Sequence, residues 1–193
     1  MSASLFSILI GAIFVNNFIL TKFLGLCPFF GVSTKTKSAL SMGIALTFVT
    51  AISAAMTWLI YTYILVPLGL EYLKIIVFIL VIATAVQFVE LFIKKSNPAL
   101  YNALGIYLPL ITTNCIVLGV ALLNIEDNYN FIQSFVFGIA GGLGFTLAIL
   151  LMSGIRERLE LSDVPKPFKG LPIAFIVAAL MSMTFLAFSG MIK

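Results

Sequence analysis

Six long apolar stretches follow one another along the chain, separated by short polar connections. They run over about residues 5–30, 39–68, 73–93, 99–123, 131–152 and 171–192. Each approaches or exceeds the roughly 20 residues that an apolar helix needs to cross a bilayer. Two of the six are interrupted by polar and helix-breaking residues. The first contains Asn16, Asn17, Thr21, Lys22, Gly25 and Pro28; the fourth contains Pro109, Thr112, Thr113, Asn114 and Cys115. Proline lacks a backbone donor and tends to break or kink a helix, so both stretches are expected to be broken helices. Irregular backbone at membrane depth is tolerated only where protein or a cavity covers it. The second stretch repeats small residues every fourth position, at Gly43, Thr47, Ala51 and Ala55. The fifth carries Gly138, Gly141, Gly142 and Gly144. Both read as faces for close helix packing.

Composition agrees with this pattern. Hydrophobic residues make up 62% of the 193, charged residues only 9%, and mean hydropathy is +1.19. A soluble domain carries about 25% charged residues, so the chain reads as an all-α integral membrane protein and a single membrane domain over residues 1–193. Met1 to Asn17 has an apolar run but no positive flank, and is read as a retained first span rather than a cleaved signal. The net charge of +4 belongs to loop lysines and arginines. No basic nucleic-acid module appears. The chain has no histidine, which excludes a His-ligated metal or a His general base within it.

The basic residues orient the chain. Lys35 and Lys37, Lys94 and Lys95, and Arg156, Arg158, Lys166 and Lys169 follow the first, third and fifth stretches. The loops after the second and fourth hold Lys74 beside Glu71, Glu126 and Asp127. The positive-inside rule puts the odd loops in the cytoplasm and both termini outside. Three spans are an odd number, so the second half inserts upside down relative to the first. Six transmembrane helices are therefore expected as two inverted three-helix repeats, about residues 1–98 and 99–193, with the first and fourth helices broken. Such an axis brings the two breaks together near mid-membrane.

Each broken stretch carries one of the two cysteines, Cys27 and Cys115, and each cysteine has Gly-Val four residues on, at Gly31-Val32 and Gly119-Val120. One reading is two inert buried thiols, since free cysteine packs as a small hydrophobe. A disulfide between them is another. The functional reading is ligation of a soft metal centre: an iron–sulfur cluster, zinc or copper(I). An iron–sulfur cluster usually takes four cysteines, so a second subunit would have to supply two more. Asn16, Asn17, Thr112, Thr113 and Asn114 are expected to satisfy broken backbone or to orient ligands. Lys22 is expected to snorkel or to line a polar cavity. Glu90 pairs at helical spacing with Lys94. The stretch 155–170 reads as the longest cytoplasmic loop; its mixed charge suits a soluble partner, but a simple solvated loop is the favoured reading. No catalytic triad, phosphate loop or carboxylate pair is present.

Several of these strings resemble the A-subunit family of the Rnf complexes. They are Val15-Asn16-Asn17-Phe18, Lys22-Phe23-Leu24-Gly25-Leu26-Cys27-Pro28-Phe29, Leu108-Pro109-Leu110-Ile111-Thr112-Thr113-Asn114-Cys115, Gly119-Val120-Ala121-Leu122-Leu123-Asn124 and Ile155-Arg156-Glu157-Arg158-Leu159. The resemblance spans essentially the whole chain. The E subunits of sodium-pumping NADH:quinone reductase are similar but less close, lacking the proline found here as Pro28. The resemblance implies a subunit of a redox-driven Na+ or H+ pump between ferredoxin and NAD, in the bacterial cytoplasmic membrane. It also implies that Cys27 and Cys115 ligate a [2Fe–2S] cluster shared with the homologous, oppositely oriented E subunit. Asn114, Thr113 and Lys22, by their place in the broken stretches, are the candidate supporting residues. The alternatives are a secondary transporter, or a structural membrane subunit with inert cysteines.

Overall fold

The computed structural model describes residues 5–96 and 108–189. Among them every regular element is helical. Helix α1 is Leu5–Ile10 and runs into a π-helical turn, Gly11–Val15; a non-helical stretch leads to α2, Leu26–Val32. Helix α3, Thr36–Ile60, continues through a π turn at Tyr61–Leu65 and a last turn at Val66–Leu68. A 3-10 turn, Glu71–Leu73, opens α4, Lys74–Ser96. The second half holds α5, Leu108–Thr112; α6, Cys115–Glu126; α7, Phe131–Glu160; and, after a 3-10 turn at Lys166–Phe168, α8, Leu171–Ser189.

Three helical runs are long and apolar enough to cross a membrane: Thr36–Leu68, Glu71–Leu91 and Phe131–Glu160. Leu5–Val15, Leu110–Glu126 and Leu171–Ala187 are shorter apolar helices. Each expected stretch thus has a helical counterpart, and the chain is a multi-pass membrane protein. The exterior supports this. Helix α4 presents Ile76, Ile79, Leu80, Phe88 and Leu91 outward, while Asn17, Ser33, Thr50, Ser53, Thr57, Asn114, Asn124, Ser134, Ser153 and Ser182 are buried. A bundle solvated by lipid gains nothing from hiding leucine and phenylalanine, and packs small and polar residues inside instead.

The α3–α7 pair forms the centre. Both helices are lined with small residues where they meet, as the four-residue spacing predicts. A Cβ on Gly142 would collide with the backbone of Thr47, and one on Gly43 would lie 2.6 Å from Thr146 Oγ1. Thr50 Oγ1 donates to the Gly138 carbonyl at 2.9 Å. At the far end Trp58 stacks edge-on with Phe131, centroids 5.5 Å apart, and its indole N–H donates to the Tyr129 carbonyl at 2.8 Å. Helix α7 starts with a capping box, the Asn130 side chain on the N3 amide and Gln133 on the Asn130 amide.

The structure corrects one boundary. Ile155 to Leu159 lie within α7, which runs to Glu160, and not in a loop. Two side chains in this last stretch have partners on the chain after Cys27. Arg156 Nη1 donates to the Phe30 carbonyl at 2.8 Å and to Ser33 Oγ at 2.9 Å. Glu157 Oε1 accepts from the Thr36 amide at 2.9 Å and from its hydroxyl at 2.6 Å. The mixed charge reads as a solvated loop in sequence because its partners are more than 100 residues away.

Candidate cluster-ligand site

Both cysteines sit directly after a break in helix. In the first half, Asn17 organises the break. It is fully buried, and its Nδ2 donates to the carbonyls of Ile13 (3.1 Å) and Gly144 (2.9 Å). Its Oδ1 accepts from the amides of Ile19 (3.1 Å) and Leu20 (3.4 Å). One side chain thereby replaces helical bonds lost by both donors and acceptors, as irregular backbone in a membrane requires. Thr21 Oγ1 donates to the Asn17 carbonyl at 2.7 Å, and Ser182 of α8 donates to the Leu20 carbonyl. Phe23 and Gly25 then take positive φ, 55° and 80°, and turn the chain into α2. Cys27 is the second residue of that helix and Pro28 the third. Pro28 begins the helix rather than interrupting it, because a first-turn residue has no helical acceptor for an N–H to lose.

In the second half the break falls at Thr113 and Asn114, between α5 and α6, past the proline. The side chains of Leu108 and Pro109 lie outside the described residues. Asn114 caps α6: its Oδ1 accepts from the Ile116 amide at 3.1 Å. Asn114 is buried, and its Nδ2 has no hydrogen-bond partner. Thr113 is exposed. Cys115 is the first residue of α6.

The two breaks meet. The Gly25 amide donates to Cys115 Sγ across 2.8 Å. A Cβ on Gly25 would run into the Ile116 side chain and sit 3.2 Å from Asn114 Oδ1. Gly25 is therefore required twice, by its φ and by the closeness of the second break. Both thiols are free and both are exposed. Among the described residues no three His, Cys, Asp or Glu side chains are gathered for a metal ion. The donor set on this chain is two thiols at its surface, one already facing a backbone N–H.

Lys22 is placed elsewhere. It lies 5.8 Å above the Phe18 ring and lines a cavity of about 320 Å³ with Asn16, Asp127, Tyr129 and Phe137. Burial, reinforced by the charge of Asp127 and a hydrogen bond to it, raises the Tyr129 phenol above its ordinary value. Glu90 accepts from Gln87 Nε2 at 3.3 Å on exposed helix surface. Sequence reasoning missed the role of Arg156, whose bonds to Phe30 and Ser33 fix the end of the Cys27 helix. The bonds reach residues more than 100 positions away, and the charged run Arg156-Glu157-Arg158 carries no local signal for them.

Residues 5–192 match the family described as "Rnf-Nqr subunit, membrane protein". The chain belongs to the Rnf-Nqr family. Within it, the chain is 59% identical over 188 residues to the A subunit of the Na(+)-translocating ferredoxin:NAD(+) oxidoreductase complex of Acetobacterium woodii, covering 97% of this chain and 98% of the relative. It is 56% identical over 186 residues to the A subunit of the ion-translocating oxidoreductase complex of Aliivibrio salmonicida, covering 96% of each. Its identity to the protein of the same name in Vibrio cholerae is 55% over 186 residues, again covering 96% of each. This Rnf-Nqr chain is thus similar, end to end, to proteins named as A subunits.

Proposed function

We propose that this chain is the A subunit of an ion-translocating ferredoxin:NAD oxidoreductase of the Rnf type, not catalytic alone. In this reading Cys27 and Cys115 supply two of the four thiolates of a [2Fe–2S] cluster, and a homologous E subunit supplies the rest. One observation carries it: two free, exposed thiols, each behind a helix break, with the Gly25 amide from one break aimed at the sulfur of the other. Two thiols exposed on the chain are open to a second protein that brings further ligands. Iron–sulfur clusters take thiolate ligands and are tuned by hydrogen bonds to their sulfurs, so the residues present fit the group. Its chemistry when bound is one-electron transfer.

The work of this chain is then to hold two thiolates in place and to exclude lipid and water around them. Asn17 and Asn114 fix the two breaks, Gly25 orients Cys115, and Arg156 anchors the Cys27 helix. Electron flow across the membrane is coupled to Na+ or H+ movement in the complex. The membrane is the bacterial cytoplasmic one, with both termini outside.

The same reading includes the inverted repeat of about 1–98 and 99–193. Two sets of contacts support it. Cys115 follows Cys27 by the 88 residues that also separate Thr50 from Gly138, which touch each other at the centre of α3–α7. Shifting by that interval turns the Gly43–Thr146 contact into Phe131–Trp58, also a contact. A two-fold axis through the Thr50–Gly138 contact, exchanging the halves, has this property.

Co-expression tests the shared site. The chain purified alone should hold no stable cluster, and the chain purified with the E subunit should hold one. A fully loaded cluster on the isolated chain would overturn shared ligation.

A further inference from the structure

We propose that Ser53, Asn124 and Ser134 enclose an internal water site at the junction of α3, α6 and α7. All three are buried, at 0%, 1% and 0% exposure. Ser53 Oγ, Ser134 Oγ and both polar atoms of the Asn124 amide have no hydrogen-bond partner. No other single helix junction gathers so many orphaned polar atoms among the described residues.

Helix register puts the three at about one level of the bundle. Ala54, next to Ser53, lies 3.0 Å from the Cβ position of Gly138, and Ser134 is one turn before Gly138 on α7. Val120 of α6 lies 2.9 Å from the Cβ position of Gly141, and Asn124 is one turn after Val120. Residues four apart share a helix face. Helix α6 runs antiparallel to α7 through the turn at Asp127 to Asn130, so moving from Val120 to Asn124 on one matches moving from Gly141 toward Ser134 on the other. On α7, Ser134 falls between the directions of Gly138, which faces α3, and Gly141, which faces α6. Asn124 and Ser134 thus share the α6–α7 seam, and the proposed site adds the buried Ser53 of α3 at the same level, toward the end of the α3–α7 pair where Trp58 meets Phe131.

The chemistry selects water over a cation. An unmade hydrogen bond on a buried group costs about 1–3 kcal/mol, and four such atoms at one junction call for a ligand. Whichever way the Asn124 amide is turned, one end is an NH2 donor. A cation offers that donor nothing. Water both donates and accepts, and a buried water typically makes about three hydrogen bonds to such groups. One or two molecules would tie the first half of the chain to the second at the end of α7 opposite Arg156. The site stands independently of any cluster at Cys27 and Cys115.

An electron-microscopy map of the complex, at a resolution that shows ordered water, tests it. Density within hydrogen-bond distance of Ser53 Oγ, Ser134 Oγ and the Asn124 amide is expected. Side chains bonded directly to one another with no density between them would overturn the site. Thermal melts of the complex give a second reading. Asn124→Leu should lower the melting temperature by roughly 2–4 °C, since it orphans the remaining water partners, and adding Ser53→Ala and Ser134→Ala should restore part of the loss. A rise in stability in each single variant means dry, independent groups and refutes the proposal. A melting temperature higher in NaCl than in choline chloride, with the difference abolished by Asn124→Leu, would assign the site to a cation instead. If a variant fails to assemble, the map still decides.

Discussion

The amide of Gly25 reaches the sulfur of Cys115 across 2.8 Å, joining residues 90 apart in sequence. The contact binds the two helix breaks into one structure and gives Cys115 a donor for its sulfur. Gly25→Ala should therefore damage the site. Its φ of 80° strains any residue with a Cβ, at about 1–2 kcal/mol, and the new methyl meets Ile116. We expect a lower melting temperature of the complex and a shifted cluster potential. Gly31→Ala is the control, since a Cβ there meets nothing within 4 Å. Equal behaviour of the two variants would show that the close approach at Gly25 is unimportant.

Arg156→Ala should loosen the Cys27 helix. It removes both hydrogen bonds to Phe30 and Ser33 and leaves the fully buried Ser33 without its arginine. The expected cost is about 1–3 kcal/mol, read as a lower melting temperature, with Arg156→Lys intermediate because lysine keeps the charge but not the reach and planar geometry that place Nη1 against both acceptors. An unchanged melting temperature for Arg156→Ala would mean that α7 does not anchor this corner.

Gly142→Val tests the central crossing. The side chain would have to enter the backbone of Thr47, so α3 and α7 must separate. Loss of this chain from the purified complex is expected. Gly154→Ala, on the same helix with open space around it, should assemble as wild type. Normal assembly of Gly142→Val would contradict the packing described for the pair.

Orientation is testable by labelling intact cells with a membrane-impermeant thiol reagent. A cysteine at Ser162 should be protected and one at Asn128 labelled, each above the signal of the native chain. The reverse pattern would invert the topology.

The hydrophobic pattern made the helices legible, and the Asn, Thr and Gly clusters made the two breaks legible. Local composition decides both, because a polar run inside an apolar helix has to be satisfied somewhere. The small-residue faces of α3 and α7 were legible too, since close approach demands small residues at helical spacing. Less legible was the exact break in the second half, where the proline drew attention but Asn114, as helix cap, sets the boundary. The end of α7 was misread because Arg156 and Glu157 look solvated until their partners near Ser33 and Thr36 are known. The Gly25–Cys115 contact could not be read at all. It depends on a backbone amide, and sequence carries no mark for where an amide points.

Electron paramagnetic resonance of the reduced complex carrying Cys27→Ser or Cys115→Ser tests the ligand assignment most directly. Serine replaces a soft thiolate with a hard hydroxyl that stays protonated near neutral pH. Both sites are exposed on the chain, so it should still fold and assemble. Ligation by both cysteines predicts that each variant loses the [2Fe–2S] signal and that electron flow from ferredoxin to NAD falls to background. An unchanged signal in either variant would remove that cysteine from the site.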